Sequence, residues 1–245
     1  MPEEINRVLT DHLSTFLFCP TKQAIKNLGK EGIKAVRGKI VKHVGDVMYD
    51  SILYYSKIAE KGSNILTELN LLANTQPPTP KPYYLATLHR AENTDEPKRL
   101  KSILKALKEI GRDIPVVLPL HPRTKKMINT HHLLGETKGI KLIDPVSYFD
   151  MLKLEKNAKA ILTDSGGVQK EAYWFKVPCF TLRDETEWVE TIQSGQNVLV
   201  GAEWKRIVEE IRHRMERKPV LTDSKIFGDG KASEKILQMV IKYCG

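Results

Sequence analysis

A short polar turn in the second half of the chain carries the residue types that bind phosphate. An apolar run at residues 160–163 leads through Asp-Ser-Gly-Gly into a helix-like sequence. Because Gly166 and Gly167 have no Cβ atoms, ligand oxygens can approach the main chain, where free N–H groups and the helix dipole attract an anion. Ser165 adds a hydroxyl group, and Glu171, about one helical turn further, could accept hydrogen bonds from ribose hydroxyls. A strand-to-helix turn without a ligand is the alternative interpretation.

Short apolar runs, each bounded by turn residues, must position this turn. They predict strands at residues 83–87, 116–120, 141–143, 160–163, 179–182 and 197–200. Helix-like stretches separate most of them, as at residues 98–110, where Leu100, Leu104 and Leu107 share one helical face. Apolar strands that alternate with amphipathic helices imply an α/β fold, with a parallel sheet covered on both faces.

Polar side chains follow most of these strands at the point where each strand ends. In chain order the clusters are His89 and Arg90, His121 and Arg123, Asp144, residues 164–167, and residues 183–185. The carboxyl ends of parallel strands meet at one edge of a sheet, and open α/β sheets bind ligands at that edge. We therefore expect a ligand site there.

Several motifs, in their order and spacing, resemble the non-hydrolysing UDP-N-acetylglucosamine 2-epimerases. They are TLHRAEN at residues 87–93, DSGGVQKE at 164–171, LRDETE at 182–187, PEEINR at 2–7 and VGD at 44–46. The resemblance covers nearly the whole chain. It implies a glycosyltransferase-B architecture, in which two Rossmann-like domains face a cleft and the second domain holds most of the UDP.

The resemblance implies an isomerase that interconverts UDP-N-acetylglucosamine and UDP-N-acetylmannosamine without a cofactor and supplies N-acetylmannosamine for surface polysaccharide. UDP is eliminated across C1 and C2 of the sugar, and it returns after the resulting glycal is protonated on the other face. Such a reaction needs a carboxylate base on one face, an acid on the other, and charge stabilisation for the departing diphosphate. The implied partners are UDP and UDP-amino sugars.

The chain departs from the family pattern at its N-terminus. The family's opening Gly-Thr-Arg-Pro-Glu-type turn and the acid-bearing segments after it are not found, which corresponds to roughly the first third of the family's chain. We expect a remnant of the first Rossmann-like domain, a connecting helix with a proline-rich linker, the UDP-binding domain and a crossover helix. Their expected bounds are residues 1–43, 44–82, 83–228 and 229–245. A split gene and a degenerate copy both fit this pattern.

The same resemblance implies roles for individual residues. Glu3 belongs to a set of catalytic carboxylates whose other members lie on the missing segment. His89 acts near the diphosphate or in acid–base chemistry, and a strand-end histidine that caps a loop is the alternative. Arg90 and His121 resemble positions that in some members bind a second UDP-N-acetylglucosamine as an allosteric activator. A simple turn at His121-Pro is the alternative there.

Further candidate contacts to the nucleotide follow the predicted third and fifth strands. The Arg183 guanidinium group could bind phosphate through two hydrogen bonds, and a salt bridge within residues 184–187 is the alternative. Tyr148, Phe149 and Met151 could contact the uracil, although packing in the core fits an amphipathic helix better.

Composition and charge indicate a soluble globular protein with basic surfaces. The chain has 245 residues and a formal net charge of +9. Its lysines and arginines are spread along helix faces without interleaved aromatic residues, so we expect solvated surface and no nucleic-acid partner. No apolar run has the length of a membrane span, and no signal peptide is visible, so we expect a cytoplasmic protein without a membrane partner.

The cysteines and histidines do not predict a metal centre. Cys19, Cys179 and Cys244 lack metal-site spacing, and we expect Cys19 and Cys179 to be small buried strand residues in a reducing compartment. His131 and His132 are adjacent but have no third ligand near them in the sequence.

Three functions fit the sequence. They are the epimerase or the larger fragment of one, a glycosyltransferase of the same architecture, and a non-catalytic UDP-sugar-binding or regulatory chain. We expect this chain to bind UDP and to be inactive or nearly so alone, unless a separate N-terminal fragment completes it. Without a full first domain, Leu13, Phe16, Ile236 and Val240 should be exposed, which favours a homodimer or higher oligomer.

Overall fold

The computed structural model describes residues 2–36, 38–217 and 225–244. Contacts group these residues into two units. The first unit contains the described residues up to Tyr54 together with those from Lys225 onward. The second unit contains the described residues from Tyr55 to Arg217.

Short strands alternate with helices along the described chain. The strands are β1 (Phe16–Cys19), β2 (Ile40–His43), β3 (Tyr84–Thr87), β4 (Val116–Pro119), β5 (Lys141–Ile143), β6 (Ala160–Thr163), β7 (Cys179–Thr181) and β8 (Asn197–Leu199). The helices are α1 (Pro2–Leu13), α2 (Lys22–Lys30), α3 (Val47–Gly62), α4 (Ile65–Glu68), α5 (Ala91–Thr94), α6 (Pro97–Ile110), α7 (Pro122–Thr130), α8 (Tyr148–Asn157), α9 (Gly166–Phe175), α10 (Val189–Gln193), α11 (Trp204–Met215) and α12 (Ala232–Cys244), with a 3-10 turn at Leu134–Thr137. Each predicted strand is present, and its ends lie within one residue of the prediction.

The second unit is built on a parallel sheet with the strand order β5-β4-β3-β6-β7-β8. The chain moves outward from β3 through β4 to β5, and then returns to place β6 on the other side of β3. These two central strands pair from Tyr84 with Ala160 to Thr87 with Thr163. Their carboxyl ends mark the switch point at which an open α/β sheet binds ligands. The predicted α/β fold with a parallel sheet is confirmed.

Helices cover both faces of this sheet, because alternate residues of each buried strand point to opposite faces. On one face, Ala86 and Leu162 belong to a buried cluster that includes Leu104 of α6 and apolar residues of α11. On the other face, Leu85 and Ile161 belong to a cluster with apolar residues of α8 and α9. Burial of each large aliphatic side chain contributes about 1.5–3 kcal/mol, so packing on two sides holds the central strands in place.

Helix α6 extends one residue beyond the predicted start and ends where its sequence predicts. Pro97 stands in its first turn, where a proline removes no helical hydrogen bond. The Glu96 side chain accepts a hydrogen bond from the Lys98 N–H and caps the helix. The apolar face from Leu100 to Ile110 is buried, so the periodicity correctly identified the side that packs on the sheet.

The proline-rich segment before β3 is exposed, as predicted. Residues 74–82 contain four prolines, which lack a backbone donor and favour extended or turn conformations. The segment also folds back on itself. The Ala73 N–H donates to the Thr79 carbonyl and the Lys81 N–H donates to the Leu71 carbonyl, each at 2.8 Å.

The first unit contains the parallel pair β1–β2 and helix α12. Gly45 has a φ of +98° and lies so close to the backbone at Phe227 that a side chain would have little room. At the start of α12, the Asp50 carboxylate accepts hydrogen bonds from the N–H groups of Ala232 (3.1 Å) and Ser233 (2.7 Å). This side chain therefore caps the helix although it belongs to α3.

Exposure of the four apolar residues in the first unit is mixed. Leu13 and Val240 are 85% and 37% exposed, as expected. Phe16 and Ile236 are half-buried, so the expectation of exposure is wrong for them. The Phe16 ring lies 6.0 Å from the Tyr243 ring, which covers part of it. Ile236 lies on the half-buried face of α12.

Two of the cysteines lie in strands. Cys19 and Cys179 are buried strand residues, as predicted. Burial raises the pKa of the Cys19 thiol and raises that of Cys179 to about 12, so both thiols are protonated and unreactive near neutral pH.

Within the described residues, none of the helices combines the length and the apolar character needed to cross a bilayer.

Candidate functional site

Asp164, the residue directly after β6, organises the loop that follows β3. Its carboxylate is completely buried. It accepts hydrogen bonds from the backbone N–H groups of His89 (3.1 Å) and Arg90 (2.9 Å) and from Asn93 Nδ2 (3.2 Å). The His89 Nδ1 atom also lies 3.1 Å from this carboxylate. A hydrogen bond to a charged group contributes about 1.5–3 kcal/mol, so Asp164 ties the loop after β3 to the end of β6.

The glycine turn begins helix α9 at the same edge of the sheet. Ser165 caps the helix, and its hydroxyl accepts a hydrogen bond from the Val168 N–H at 3.5 Å. Gly166 is buried and Gly167 is half-buried. A Cβ atom at Gly166 would collide with the Glu187 carboxylate. The turn therefore begins α9 without side chains at either glycine, and the Glu187 carboxylate stands against Gly166, so phosphate binding at this turn stays a prediction.

That carboxylate belongs to a group of ion pairs. Glu187 Oε2 lies 2.7 Å from Arg183 Nη1, and Glu187 Oε1 lies 3.9 Å from Arg90 Nη2. Arg183 Nε lies 3.7 Å from the Glu92 carboxylate. Burial acts to raise the pKa of Glu187, but a backbone hydrogen bond and Arg183 outweigh burial and hold that pKa below its usual value. The salt-bridge interpretation of Arg183 thus describes this structure, and its phosphate-binding role stays a prediction.

His121 lies beside His89, with their ring centroids 5.5 Å apart. The His121 Nδ1 atom accepts a hydrogen bond from the Arg123 N–H at 3.2 Å, which caps α7. The Thr124 hydroxyl donates to a carbonyl at the end of β3, so α7 is fastened to the same loop. The side chains of His89 and Arg90 are 37% and 40% exposed. The predicted diphosphate and activator residues therefore form one group here.

Glu171 faces inward from α9 and is buried. Burial raises the pKa of its carboxyl group and outweighs the opposing effects of Glu155 and Lys170. Glu155 of α8 is completely buried and was not identified from the sequence. Burial, followed by Glu171 and Glu155, raises the pKa of Tyr148 to about 12. The role of Glu171 in ribose recognition stays a prediction.

The aromatic residues at the start of α8 differ from the preferred expectation. Tyr148 and Phe149 are 46% and 39% exposed, so core packing is wrong for both. Their rings lie 6.1 Å and 5.9 Å from the Tyr55 ring. Both residues stand in the first turn of α8, where the helix begins beyond the ends of the strands. Met151, one turn further, packs against the core as expected.

Glu3 and His131 are the remaining candidates. Glu3 belongs to α1 in the first unit, and its side chain lies outside the described residues. His131 ends α7 as its C-cap residue. In the part of the chain that the structure describes, His, Cys, Asp and Glu side chains form no group of three or more that could hold a metal ion.

A comparison with known families identifies the chain. A family model described as UDP-N-acetylglucosamine 2-epimerase matches residues 1–241. The chain belongs to the UDP-N-acetylglucosamine 2-epimerase family. The resemblance drawn from the sequence motifs is thereby confirmed.

Individual members of the epimerase family are similar to the chain over nearly its whole length. The UDP-2,3-diacetamido-2,3-dideoxy-D-glucuronate 2-epimerase of Pseudomonas aeruginosa is 47% identical over 99% of this chain and 64% of its own length. A UDP-N-acetylglucosamine 2-epimerase homolog of Methanococcus maripaludis is 48% identical over 98% of this chain and 64% of its own length.

A crystal structure from the same family supports the fold assignment. The Methanocaldococcus jannaschii UDP-GlcNAc 2-epimerase, in complex with UDP-GlcNAc and UDP, matches with a TM-score of 0.85 at 44% identity. The match covers 99% of this chain and 65% of that one. The chain therefore spans less than two thirds of the length of these relatives, and its α/β fold is that of the glycosyltransferase-B-like epimerases.

Asn93 and Asp164 are site residues that stand within family motifs and had no predicted role. Asn93 is completely buried, and its Nδ2 atom also donates to the Leu182 carbonyl at 2.8 Å. It therefore connects the loop after β3 to the end of β7. The place of Asp164 directly after a central strand was the available signal for its role. No comparable signal identifies Asn93.

Asp164→Asn should lower the free energy of unfolding by roughly 2–4 kcal/mol, because an amide NH₂ group would face N–H donors in a buried site. Urea unfolding followed by circular dichroism measures the change. Asp184→Asn is the matched control, because its side chain is 71% exposed and pairs with Arg99 at the surface, where such pairs contribute about 0–1 kcal/mol. Equal losses in the two variants would contradict the organising role of Asp164.

Proposed function

We propose that this chain forms the UDP-binding part of an enzyme that interconverts UDP-N-acetylglucosamine and UDP-N-acetylmannosamine. The observation that carries the proposal is the grouping of three features at one edge of the sheet: the glycine turn at the switch point, His89 held by the buried Asp164 carboxylate, and Arg183 joined to Glu187 in front of Gly166. Membership of the epimerase family and the UDP-bound relative support it. The N-acetylmannosamine product would serve the synthesis of surface polysaccharide.

The diphosphate would lie against the N-terminus of α9. Gly166 has no side chain there, the Ser165 hydroxyl is close, and the main-chain N–H groups with the helix dipole favour an anion, although the Glu187 carboxylate occupies the space in front of Gly166 in this structure. Arg183, now paired with Glu187, would exchange that carboxylate for phosphate oxygens. Glu171, further along α9, would accept hydrogen bonds from the ribose hydroxyls. Binding of UDP would therefore replace an internal negative charge with that of the ligand.

Epimerisation would proceed by elimination and re-addition. A base removes the C2 proton, the bond between C1 and the diphosphate oxygen breaks, and UDP leaves a glycal. Protonation of C2 on the opposite face and return of UDP complete the reaction. His89, held by Asp164 and partly exposed, would stabilise or protonate the leaving diphosphate. Glu3 would supply one of the carboxylates.

Arg90 and His121 are the proposed contacts to an activating second nucleotide sugar. His121 lies against His89, and Arg90 is the residue that follows His89 in the chain. An activator bound by these residues would therefore lie next to the diphosphate site and would change the position of the His89 side chain.

The sugar carried by UDP is a second point of the proposal. The similar protein of Pseudomonas aeruginosa acts on UDP-2,3-diacetamido-2,3-dideoxy-D-glucuronate, which differs from UDP-N-acetylglucosamine at C3 and C5 of the sugar. The proposed contacts in the second unit are all to UDP, which both substrates share. We therefore propose UDP-amino sugars as the substrate class, with UDP-N-acetylglucosamine as the first candidate.

We propose that two copies of the chain associate through the apolar residues of the first unit. Leu13 is almost fully exposed, and Leu237 and Ile241 of α12 are 60% and 62% exposed. Exposed apolar groups of this kind favour association. A single monomeric species in light scattering at micromolar concentration would contradict this part of the proposal.

UDP should bind to the isolated chain at millimolar concentration or below, and Gly166→Val should abolish the binding because its side chain would take the position proposed for the diphosphate, where the Glu187 carboxylate now stands. Isothermal calorimetry measures both results, with inorganic phosphate as the ligand control. Gly135→Val is the matched variant, because nothing lies within 4 Å of a Cβ atom there. Absence of heat with UDP and the wild-type chain would overturn the proposed function.

Glu187→Gln should tighten UDP binding by roughly three- to tenfold, because the variant removes a negative charge from the proposed diphosphate position and frees Arg183. Competition between UDP and a fluorescent UDP derivative measures the change. Glu185→Gln makes the same change in net charge at an exposed neighbour and should leave the affinity unaltered. Weaker binding by Glu187→Gln would mean that Glu187 holds Arg183 in the geometry that UDP requires.

The chain alone should convert UDP-N-acetylglucosamine at a negligible rate. Its sequence contains none of the family's first-domain acidic segments, and each acid–base group typically contributes 100- to 10,000-fold. NMR in deuterated water detects deuterium at C2 and formation of the epimer. The substrates tested are UDP-N-acetylglucosamine and UDP-2,3-diacetamido-2,3-dideoxy-D-glucuronate. Turnover near one per second would contradict this expectation and place the catalytic acids elsewhere. Activity that requires an added N-terminal polypeptide would support a divided enzyme, and UDP binding without any turnover would favour a non-catalytic chain.

A further inference from the structure

Two carboxyl groups are buried side by side between helices α8 and α9. These helices pack through one apolar cluster that contains Leu154 and Ala172. Glu155, next to Leu154, has no solvent exposure, and Glu171, next to Ala172, has 7%. Their side chains are close enough to hydrogen-bond to each other. A buried carboxylate normally has a donor or a cation beside it, so this pair requires an explanation.

The explanation lies in the number of protons that the pair holds. Neither oxygen of Glu155 has a hydrogen-bond partner when both groups are carboxylates, because two acceptors cannot bond to each other. Two adjacent carboxyl groups in a site of low polarity cannot both ionise, and they share one proton. A single proton between Glu155 and Glu171 supplies the missing hydrogen bond.

The surroundings decide which residue holds the proton. Burial and the negative charge of Glu171 raise the pKa of Glu155 well above its usual value. Burial also raises the pKa of Glu171, but Lys170 and the hydrogen bond from Glu155 act in the opposite direction. Glu155 is therefore the carboxylic acid, and Glu171 is the carboxylate.

Four other titratable groups lie near the pair, and each has a different contact or charge state from the two glutamates. Tyr83, before β3, donates its hydroxyl to a backbone carbonyl of α8 at 2.6 Å. The Cys179 thiol of β7 is buried and protonated. Tyr148 of α8 is raised in pKa by burial and by both glutamates. The Lys170 ammonium group of α9 lies 4.1 Å from the centre of the Trp188 ring, and its positive charge acts to lower the pKa of Glu171.

We propose that Glu155 is a positioning residue for nucleotide binding: its carboxylic acid O–H donates a hydrogen bond to Glu171 and holds that carboxylate ionised and oriented toward the ribose hydroxyls. The inference rests on the proposed function, because it adds to the role of Glu171 in UDP binding. Loss of the Glu155 proton at alkaline pH places two negative charges together and releases Glu171. UDP affinity should therefore fall as the pair loses its last proton.

The test measures UDP affinity from pH 6 to pH 10 in the full chain and in variants of Glu155. The wild-type chain should lose roughly tenfold or more in affinity on the alkaline side. Glu155→Gln keeps an N–H donor without a titratable proton, so its affinity should equal that of the wild type at neutral pH and the alkaline loss should disappear. Glu155→Leu should bind UDP roughly tenfold more weakly at neutral pH. The ionisation of UDP itself is common to all variants and cancels in the comparison.

Stability provides a readout that needs no ligand. A carboxyl group whose pKa is raised by folding holds a proton that the unfolded chain loses above about pH 4.3. Stability of the wild type should therefore fall as pH rises from that value toward the pKa in the folded state. Glu155→Gln should show a smaller loss, because only Glu171 of the pair then has a pKa raised by burial, whereas Glu109→Gln, at a carboxylate bonded to Trp204 in another part of the unit, should retain the full loss. An infrared band from a protonated carboxyl group at neutral pH should be present in the wild type and absent in Glu155→Gln.

The outcomes separate this inference from the function on which it rests. UDP binding with the same alkaline loss in the wild type and in Glu155→Gln would overturn the inference and leave the UDP site in place. Absence of the infrared band from the wild type would also overturn it. No UDP binding by any variant would overturn the proposed function and the positioning role together, even if the band and the stability difference were found.

Discussion

The buried Asp164 carboxylate is the interaction on which the site depends. A negative charge without solvent must be surrounded by donors, and here the donors are two backbone N–H groups and an amide from the loop after β3. The charge therefore determines the course of that loop and directs His89 and Arg90 to the edge of the sheet. Apolar packing positions the strands, whereas this single carboxylate positions the polar groups at their ends.

Features that arise from local patterns were predictable. The six strands of the second unit are short apolar runs between turn residues, and α6 has one continuous apolar face that packs on the sheet. The glycine turn was also predictable, because open main chain at the start of a helix requires residues without Cβ atoms. The pairing of Arg183 with Glu187 follows from their spacing, and it was one of the two interpretations that the sequence allowed.

Features that depend on the meeting of distant elements were not predictable. The partners of Asp164 are mostly backbone groups, which leave no mark on a side-chain pattern. Glu155 stands among lysines in a helix, where a charged residue is expected to face solvent, and its burial results from the packing of α8 against α9. Tyr148 and Phe149 fit a core-facing pattern but lie in the first turn of α8, beyond the strands that would have covered them.

The central pair of strands has a consequence for the order of folding. Thr87 and Thr163, whose hydroxyls lie 2.5 Å apart, are separated by 76 residues along the chain. Closing a loop of that length costs entropy before any contact at the switch point compensates for it, and such long-range parallel pairing folds slowly. Until β6 joins β3, Asp164 cannot gather its donors. The proposed nucleotide site can therefore form only late in folding, and a nascent chain that ends before β6 contains His89 but lacks the Asp164 carboxylate that binds its loop.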